Sequence, residues 1–285
     1  MIPLRRTNLT PIYMSSERQP QILDLEKIVR SKAGKKAKYI PRFVIRWFER
    51  FVHLDFINVF LKEGYMGVDF CENCVKYLGV ELEVCGLENL PKDGRKFTFA
   101  SNHPLGAIDG ITLGAIVGRE YDGKVKYLLN ELLMNLNGMA PLGIPINKLG
   151  GQARNLPRLI NEVFESDNQM IVFPAGLCSR KIDGKIQDIE WSKAFIKKSR
   201  DTGRDIIPVH FEGENSKRFY RIASWQKKLG LKFNIAMMLL PDEMYKSTGR
   251  KYTVTFGKPI SISSLDKSKS DNEWAQEIRK IAYEL

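Results

Sequence analysis

Residues 96–117, which read KFTFASNHPLGAIDGITLGAIV, decide the fold of this chain. The first six residues predict a short strand, the proline and glycines of 102–110 predict a turn, and the apolar segment 111–117 predicts a helix start. His103 therefore lies in a strand-to-helix turn, with Asp109 six positions later. An imidazole near a carboxylate is the usual means of taking a proton from a hydroxyl at neutral pH. This turn is the first candidate catalytic site.

Strand-like and helix-like patterns alternate along the rest of the chain. Strands are predicted at 80–84, 124–129, 169–173, 205–210 and 252–256, and helices at 155–164, 191–200 and 273–283. Strands separated by helices indicate an α/β fold, with a mixed sheet flanked by helices on both faces.

Size and composition favour a soluble globular protein. The chain has 285 residues, of which 43% are apolar and 27% are charged. No window of about 18 uncharged apolar residues exists, and the N-terminus lacks an apolar signal core, so we expect a cytoplasmic location. The Cys71–Cys74 pair has helical spacing and no second CxxC or nearby histidine, so it predicts a packed helix face with reduced thiols and no metal site.

The positive charge is concentrated near the N-terminus. The net charge is +12, and residues 1–50 hold twelve Lys/Arg against four Asp/Glu, which gives +8. Residues 38–62 combine apolar residues at helical spacing with an arginine stripe, which predicts one amphipathic helix that begins near Pro41. We expect this N-terminal amphipathic helical segment to bind an anionic membrane surface through Arg42, Phe43, Arg46, Trp47, Arg50 and Phe51. The alternative is a helix that covers the protein's own core, with solvated arginines.

Each candidate site segment follows or contains a strand-like run. The turn 102–110 follows one strand and 173–180 (FPAGLCSR) follows another, while 143–148 (GIPINK) is an apolar run that ends in a cation. Open α/β sheets place ligand crevices at the carboxyl ends of their strands. The other histidines, His53 and His210, are expected to be structural.

These segments, taken in order with the Ile-Ile-Pro-Val block at 206–209, resemble the glycerolipid acyltransferases, the superfamily of 1-acylglycerol-3-phosphate and glycerol-3-phosphate acyltransferases. The resemblance covers Asn102 to Val209. It implies an acyltransferase domain over residues 76–285. Residues 1–75 lie outside the resemblance, and their charge and helical pattern predict a basic helical, membrane-interface segment.

The resemblance implies transfer of a fatty acyl group from a thioester of acyl carrier protein or coenzyme A to a lipid hydroxyl. His103 would be the general base, and Asp109 would orient the imidazole. Backbone N–H groups of the glycine-bearing turn or a nearby cation would stabilise the oxyanion. No bound cofactor or metal is implied. The expected substrate-binding residues are Asn102, Gly106, Gly110, Gly143, Lys148, Phe173, Pro174, Gly176, Ser179 and Arg180.

Two departures from the usual motifs bear on the substrate. Five residues rather than four separate His103 from Asp109, so the segment must form a loop that brings the two side chains together. The version found here resembles a hemolysin-like branch involved in aminoacyl lipids such as glycine and ornithine lipids. Ala175 and Leu177 replace two polar residues of the third block, which favours an N-acylated amino acid with a 3-hydroxy acyl chain as acceptor. Lys148 and Arg180 would then pair with its carboxylate, or with a phosphate.

Three alternatives remain open at this point. The acceptor could be 1-acylglycerol-3-phosphate, as in phospholipid synthesis. The basic chain could instead be a non-enzymatic module that binds anionic surfaces or nucleic acid, but no nucleic-acid module is recognisable, so no nucleic-acid partner is expected. A serine hydrolase is disfavoured because no Gly-x-Ser-x-Gly elbow is present.

Overall fold

The computed structural model describes residues 18–33, 40–130, 133, 136–146, 152–230 and 235–285. The described chain contains a seven-stranded sheet and a separate two-stranded hairpin. The strands are β1 (Glu81–Cys85), β2 (Phe97–Ser101), β3 (Val125–Asn130), β4 (Gly143–Ile146), β5 (Gln169–Val172), β6 (Arg180–Ile182), β7 (Lys185–Gln187), β8 (Asp205–Glu212) and β9 (Lys251–Phe256).

Helices lie on both faces of the sheet, as the sequence predicts. They are α1 (Leu25–Ala33), α2 (Arg42–Phe51), α3 (Leu54–Leu61), α4 (Gly67–Tyr77), α5 (Ile108–Glu120), α6 (Gln152–Glu165), α7 (Ala194–Asp201), α8 (Lys217–Lys228), α9 (Leu240–Lys246) and α10 (Asp271–Tyr283). Short 3₁₀ helices connect some of them, among them Ile235–Leu239.

The large sheet has the strand order β1-β9-β8-β2-β5-β3-β4. Only the β8–β9 pairing is antiparallel; the other five neighbouring pairs are parallel. Strand β2 is central, and all five of its residues are buried. A strand covered on both faces explains why none of its residues is charged and why even its polar residues, Thr98 and Ser101, are buried. The predicted α/β class is confirmed.

The side chains of β2 alternate between two cores. Phe97 and Phe99 pack with apolar residues of α4 and α5, and Ala100 packs on the other face with residues of α6, α7 and α10. Thr98, on that second face, accepts a hydrogen bond from Ser199 of α7 at 2.8 Å. The period-two geometry of a strand thus distributes one short segment between two helical layers. The loop after β2 is therefore anchored in the centre of the molecule.

The prediction of one helix over residues 38–62 is wrong. Helix α2 ends at Phe51 and α3 begins at Leu54, because His53 adopts a left-handed conformation with φ of 54°. Its imidazole stacks on Tyr245 at 3.8 Å, and its Nε2 lies 3.0 Å from Asp242 Oδ1. These contacts with α9, which lies far along the sequence, stabilise the break between α2 and α3. None of the described helices has the length and apolar character needed to span a bilayer.

The predicted helix at 191–200 begins later, at Ala194. Trp191 is buried outside the helix, and its backbone N–H and C=O pair with the side-chain amide of Gln276. The CxxC segment lies in α4, where both thiols are free and buried; burial raises the pKa of Cys71 to about 12. The predicted packed face is confirmed.

The boundary expected at residue 75 falls within α4. Phe70 and Cys74 of this helix lie in the same apolar cluster as Phe97 and Phe99 of β2. Helix α4 thus belongs to the layer that covers the sheet. The division of the chain into two domains stays a prediction.

Candidate active site

The loop between β2 and α5 brings His103 and Asp109 together. Gly106 has φ of 81°, a left-handed conformation that suits glycine, and it turns the chain before the helix starts at Ile108. Asp109 is fully buried in the first helical turn. Its Oδ2 accepts hydrogen bonds from the backbone N–H groups of Leu105 (2.9 Å) and Gly106 (3.1 Å), and its Oδ1 accepts one from Gly110 N–H at 2.9 Å. Three backbone N–H groups thus hold the carboxylate in place.

The imidazole of His103 completes this arrangement. Its Nδ1 lies 3.0 Å from Asp109 Oδ2, and its ring stacks on Phe173 with centroids 4.0 Å apart. An ionised carboxylate only accepts hydrogen bonds, so the proton resides on Nδ1 and Nε2 keeps its lone pair. The side chain is 16% exposed, so it is not sealed from solvent.

The two groups shift each other's pKa in opposite directions. Burial disfavours the charged imidazolium of His103, but the charge of Asp109 and its hydrogen bond outweigh this and raise the His103 pKa above its usual 6.5. Burial also disfavours the Asp109 carboxylate, yet the contacts with His103 and the loop N–H groups lower its pKa below the usual value. The pair is poised to accept a proton on Nε2 while Asp109 stays ionised.

Asn102 links two strands beyond their regular ladder. Its side-chain amide donates to Phe211 O at 2.9 Å and accepts from Phe211 N–H at 2.7 Å. The residue is 2% exposed. The structure therefore gives Asn102 the geometry of a residue that positions the loop after β2, with both amide atoms engaged by β8.

The segment 173–180 lies beside His103. The backbone N–H of Ser179 donates to His103 O at 2.8 Å, and Pro174 and the left-handed Gly176 (φ 69°) shape the turn that leads there. Arg180 Nη1 donates to Cys178 O at 2.6 Å and to Ser179 O at 3.2 Å, and its guanidinium lies 5.5 Å from the ring centre of Phe219. The charge of Arg180 also acts on His103 and lowers its pKa, against the effect of Asp109. Arg180 directly follows Ser179, whose backbone bond to His103 attaches this segment to the catalytic loop.

Two further predicted residues belong to the segment 143–148. Gly143 is the first residue of β4, and the strand register places it level with Tyr127 of β3 and Ile171 of β5, near the middle of those strands. Its part in substrate binding stays a prediction. Lys148 lies outside the described residues.

A buried carboxylate that we did not assign from sequence supports the loop. Asp188 Oδ1 accepts from Ser179 Oγ at 2.6 Å and from the backbone N–H of His103 at 3.2 Å. Its Oδ2 accepts from Trp191 Nε1 at 2.9 Å. Burial raises the pKa of Asp188 despite these bonds. The sequence signal that could have identified it is an acidic residue three positions before a tryptophan, soon after the segment 173–180.

Helix α2 exposes most of the residues that we expect to meet a membrane. Phe43 is 72% and Trp47 62% exposed, and Arg42, Arg46 and Arg50 are also exposed. Phe51 differs, because it is half-buried and Arg218 of α8 lies 4.9 Å from its ring centre. The helix packs onto the protein through Ile45, which is buried.

Comparisons with known proteins identify the family of this chain. A family model described as acyltransferase matches residues 27–285. A lyso-glycine lipid O-acyltransferase of Bacteroides thetaiotaomicron is 54% identical over 266 residues, 93% of this chain and 97% of that protein. The enzyme of the same name from Phocaeicola vulgatus is 53% identical, with 93% and 95% covered. The crystal structure of the 1-acyl-sn-glycerophosphate acyltransferase PlsC from Thermotoga maritima matches with a TM-score of 0.50 at 19% identity, over 90% of this chain and 85% of that chain, a likeness of fold alone.

The paired imidazole and carboxylate, the parallel strands that present them and these similarities define an enzyme that transfers acyl groups to lipids. The chain belongs to the acyltransferase family, in the glycerolipid acyltransferase superfamily and on its aminoacyl-lipid branch.

Proposed function

We propose that this enzyme acylates the hydroxyl of a lyso-aminolipid, an N-acylated amino acid with a 3-hydroxy acyl chain. The observation that supports the mechanism most directly is the 3.0 Å contact between His103 Nδ1 and the buried Asp109. The two relatives described as lyso-glycine lipid O-acyltransferases favour glycine as the amino acid. The acyl donor is a thioester of acyl carrier protein or coenzyme A, and no bound cofactor or metal takes part.

His103 Nε2 removes the proton of the acceptor hydroxyl as its oxygen attacks the thioester carbonyl. The new C–O bond gives a tetrahedral intermediate, which collapses with cleavage of the C–S bond. The leaving sulfur takes the proton back from the imidazolium, which restores neutral His103 and releases the thiol. Asp109 stabilises the transient imidazolium and does not itself exchange a proton. No acyl-enzyme is required, because the acceptor is the nucleophile.

Two backbone N–H groups of the loop cannot serve as oxyanion donors in the observed arrangement. The N–H groups of Leu105 and Gly106 already donate to Asp109, so they are occupied.

Arg180 is the cation next to Ser179, whose backbone N–H donates to His103 O, and its bonds to Cys178 and Ser179 use only Nη1. We assign Nε and Nη2 of Arg180 to the carboxylate of the acceptor, since a guanidinium fork matches a carboxylate.

The alternative acceptor is 1-acylglycerol-3-phosphate. Ala175 is buried and Leu177 is uncharged, so neither offers a polar contact to a glycerol phosphate. The proposal therefore places the head-group contact on Arg180, with the segment Phe173–Gly176 shaping the wall next to the imidazole.

The enzyme would work at the cytoplasmic face of the cell membrane as a peripheral protein. Helix α2 presents Phe43 and Trp47 next to arginines, the composition of a helix that lies in a membrane interface. The same positive charge would attract acyl carrier protein, which is acidic. These partners stay proposals, and nucleic acid is not among them.

An acceptor panel tests the proposal. Purified protein is incubated with acyl carrier protein or coenzyme A thioesters and either N-(3-hydroxyacyl)glycine or 1-acylglycerol-3-phosphate, and the diacylated product is measured. We expect transfer to the glycine derivative, and its loss in His103→Ala. His53→Asn, which removes a distant imidazole and retains a residue that tolerates positive φ, is the matched control. Full transfer by His103→Ala, or a preference for the phosphate acceptor, would reject this proposal.

A further inference from the structure

Helix α8 carries a concentration of charge that no part of the proposed reaction explains. From Lys217 to Leu240 the sequence contains six Lys/Arg and no Asp or Glu. The second half of this stretch is apolar, since the 3₁₀ helix Ile235–Leu239 reads IAMML. A basic helix followed by an apolar turn, without a balancing acid, is unusual for a surface that faces only water.

The exposed face of α8 combines aromatic, aliphatic and basic side chains. Trp225 is 65% exposed, Arg218 and Arg221 are exposed beside it, and Leu229, which directly follows the helix, is 71% exposed. The backbone N–H of Leu229 still donates to Trp225 O at 2.9 Å, so at 100° per residue these four positions fall within an arc of about 80°. The opposite face, with Phe219 and Ala223, is buried. The helix is thus packed on one side and presents an apolar centre with basic flanks on the other.

The patch extends beyond α8 at one end. Ile235 is 37% and Met238 is 38% exposed in the following 3₁₀ helix, while Ala236 and Leu239 of the same turn pack with Phe219. The exposed apolar residues of these two elements are therefore presented by one packed unit. We call Arg218, Arg221, Trp225, Leu229, Ile235 and Met238 the α8 surface.

Contacts join the α8 surface to helix α2 and to the candidate active site. Phe51 of α2 packs against the cluster that contains Phe219, and its ring stacks on Trp47 at 5.6 Å between centroids. Cys178, which precedes Ser179 at the site, belongs to that cluster too. The two exposed helices are therefore attached to one apolar unit that also contacts the segment next to His103.

We propose that the α8 surface is a second membrane-contact surface, which inserts Trp225 and Leu229 into the interface of an anionic bilayer. Tryptophan and leucine at the level of cations match the layered chemistry of that interface, with acyl chains below and anionic head groups beside them. An anionic bilayer can bury the apolar centre among its acyl chains and contact the basic flanks with its head groups. An acidic protein surface would contact the cations but leave the apolar centre exposed. The inference rests on the proposed function, because it is the lipid acceptor that requires a bilayer next to the site.

Quenching of tryptophan fluorescence by brominated acyl chains tests insertion directly. The full chain has four tryptophans, and the probe is a vesicle of phosphatidylethanolamine and phosphatidylglycerol with brominated chains. We expect Trp225→Phe to lose a large part of the bromine-dependent quenching of the wild type. Trp274→Phe, on α10, is the matched control and should keep it. Equal quenching in wild type and Trp225→Phe would overturn the proposal.

Vesicle flotation gives the second measurement. Trp225→Ser with Leu229→Ser should lower the apparent affinity for these vesicles by roughly tenfold or more, since two exposed apolar side chains lose their membrane burial. Transfer to acceptor dispersed in detergent should stay within twofold, because neither residue contacts the site. Unchanged flotation, or hydrogen-exchange protection of α8 by acyl carrier protein and not by vesicles, would reject a bilayer as the occupant. Absence of acyl transfer in detergent by the wild type would count against the proposed function and leave the quenching result to decide this one.

Discussion

His103 Nδ1 and Asp109 Oδ2 lie 3.0 Å apart although a continuous helix over the same six positions would point the two side chains in different directions. The loop achieves this contact because Gly106 turns the backbone and the N–H groups of Leu105 and Gly106 hold the carboxylate. Formation of the pair therefore depends on the loop as much as on the two side chains.

Replacement of Asp109 with Asn should abolish most activity while the protein stays folded. The amide cannot stabilise the imidazolium and allows the wrong tautomer of His103, so we expect kcat to fall on the order of a thousandfold. Turnover with saturating acceptor and thermal unfolding are the measurements. Asp183→Asn is the matched control, because Asp183 lies in an exposed hairpin turn with φ of 49° where asparagine is tolerated. Activity of Asp109→Asn near that of the wild type would exclude the orienting role.

The pH dependence of activity should reflect the raised pKa of His103. Catalysis needs the neutral imidazole, so kcat/KM should fall as the pH drops through a value above the usual 6.5 of histidine. In the folded state the imidazolium is stabilised by Asp109; that stabilisation is present below pH 6.5 and is lost as the pH rises through the raised pKa. In Asp109→Asn the residual activity should persist to lower pH. An acid limb at or below 6.5 in the wild type would contradict the shift.

Gly106 should tolerate no side chain. An added Cβ would lie 2.3 Å from Cys178 Sγ, and φ of 81° is unfavourable for alanine, so Gly106→Ala should lower the free energy of unfolding by about 2 kcal/mol or more. Gly176→Ala is the matched control, because Gly176 has a similar φ of 69° but no atom within 4 Å of an added Cβ. Chemical denaturation of both variants gives the comparison. Equal losses of unfolding free energy in the two variants would mean that the contact with Cys178 does not contribute to the destabilisation.

Asp188 should affect activity through His103 without contacting the substrate. Asp188→Asn keeps one oxygen, which can still accept from Ser179 and the His103 N–H, and turns an amide NH2 toward Trp191 Nε1. It also removes a charge that helps to raise the His103 pKa. We expect a smaller loss than in Asp109→Asn, roughly tenfold in kcat, with the acid limb moved to lower pH. Glu190→Gln, at an exposed neighbouring carboxylate, is the control. An unchanged pH profile with reduced stability would make Asp188 a purely structural residue.

The sequence predicts those parts of the site that depend on local pattern. The strand, turn and helix over 96–117 follow from apolar periodicity and from Pro104 and Gly106, and the pairing of His103 with Asp109 follows once a loop is assumed. The overall α/β sheet follows from the alternation of strands and helices. Each of these features depends on residues that are close together in the chain, so it can be predicted from a single sequence.

Features that depend on distant partners could not be predicted in this way. The break between helices α2 and α3 depends on contacts of the His53 imidazole. The ring contacts Asp242, 189 positions away, and stacks on Tyr245. The bonds of Asp188 involve His103, Ser179 and Trp191, which only the folded sheet brings together. For Gly143, the pattern indicated an apolar segment but not the strand register, which pairs this residue with Tyr127 of β3.

Reversal of charge on helix α2 should weaken membrane binding before it affects chemistry. Arg46→Glu with Arg50→Glu replaces two exposed cations on the stripe beside Trp47. Each cation near an anionic surface contributes about 1 kcal/mol, so the loss of two should reduce vesicle affinity at least tenfold. Binding of the wild type should also weaken with salt, because exposed charges are screened over about 10 Å at 0.1 M. Lys267→Glu with Lys269→Glu, exposed in the loop before α10, is the control of equal charge change. If the control and the α2 variant bind equally well, then the net charge of the protein or another surface holds it on the membrane, and helix α2 does not. If salt has no effect, then charge does not hold the protein on the membrane, and the role given to the arginines of α2 is wrong.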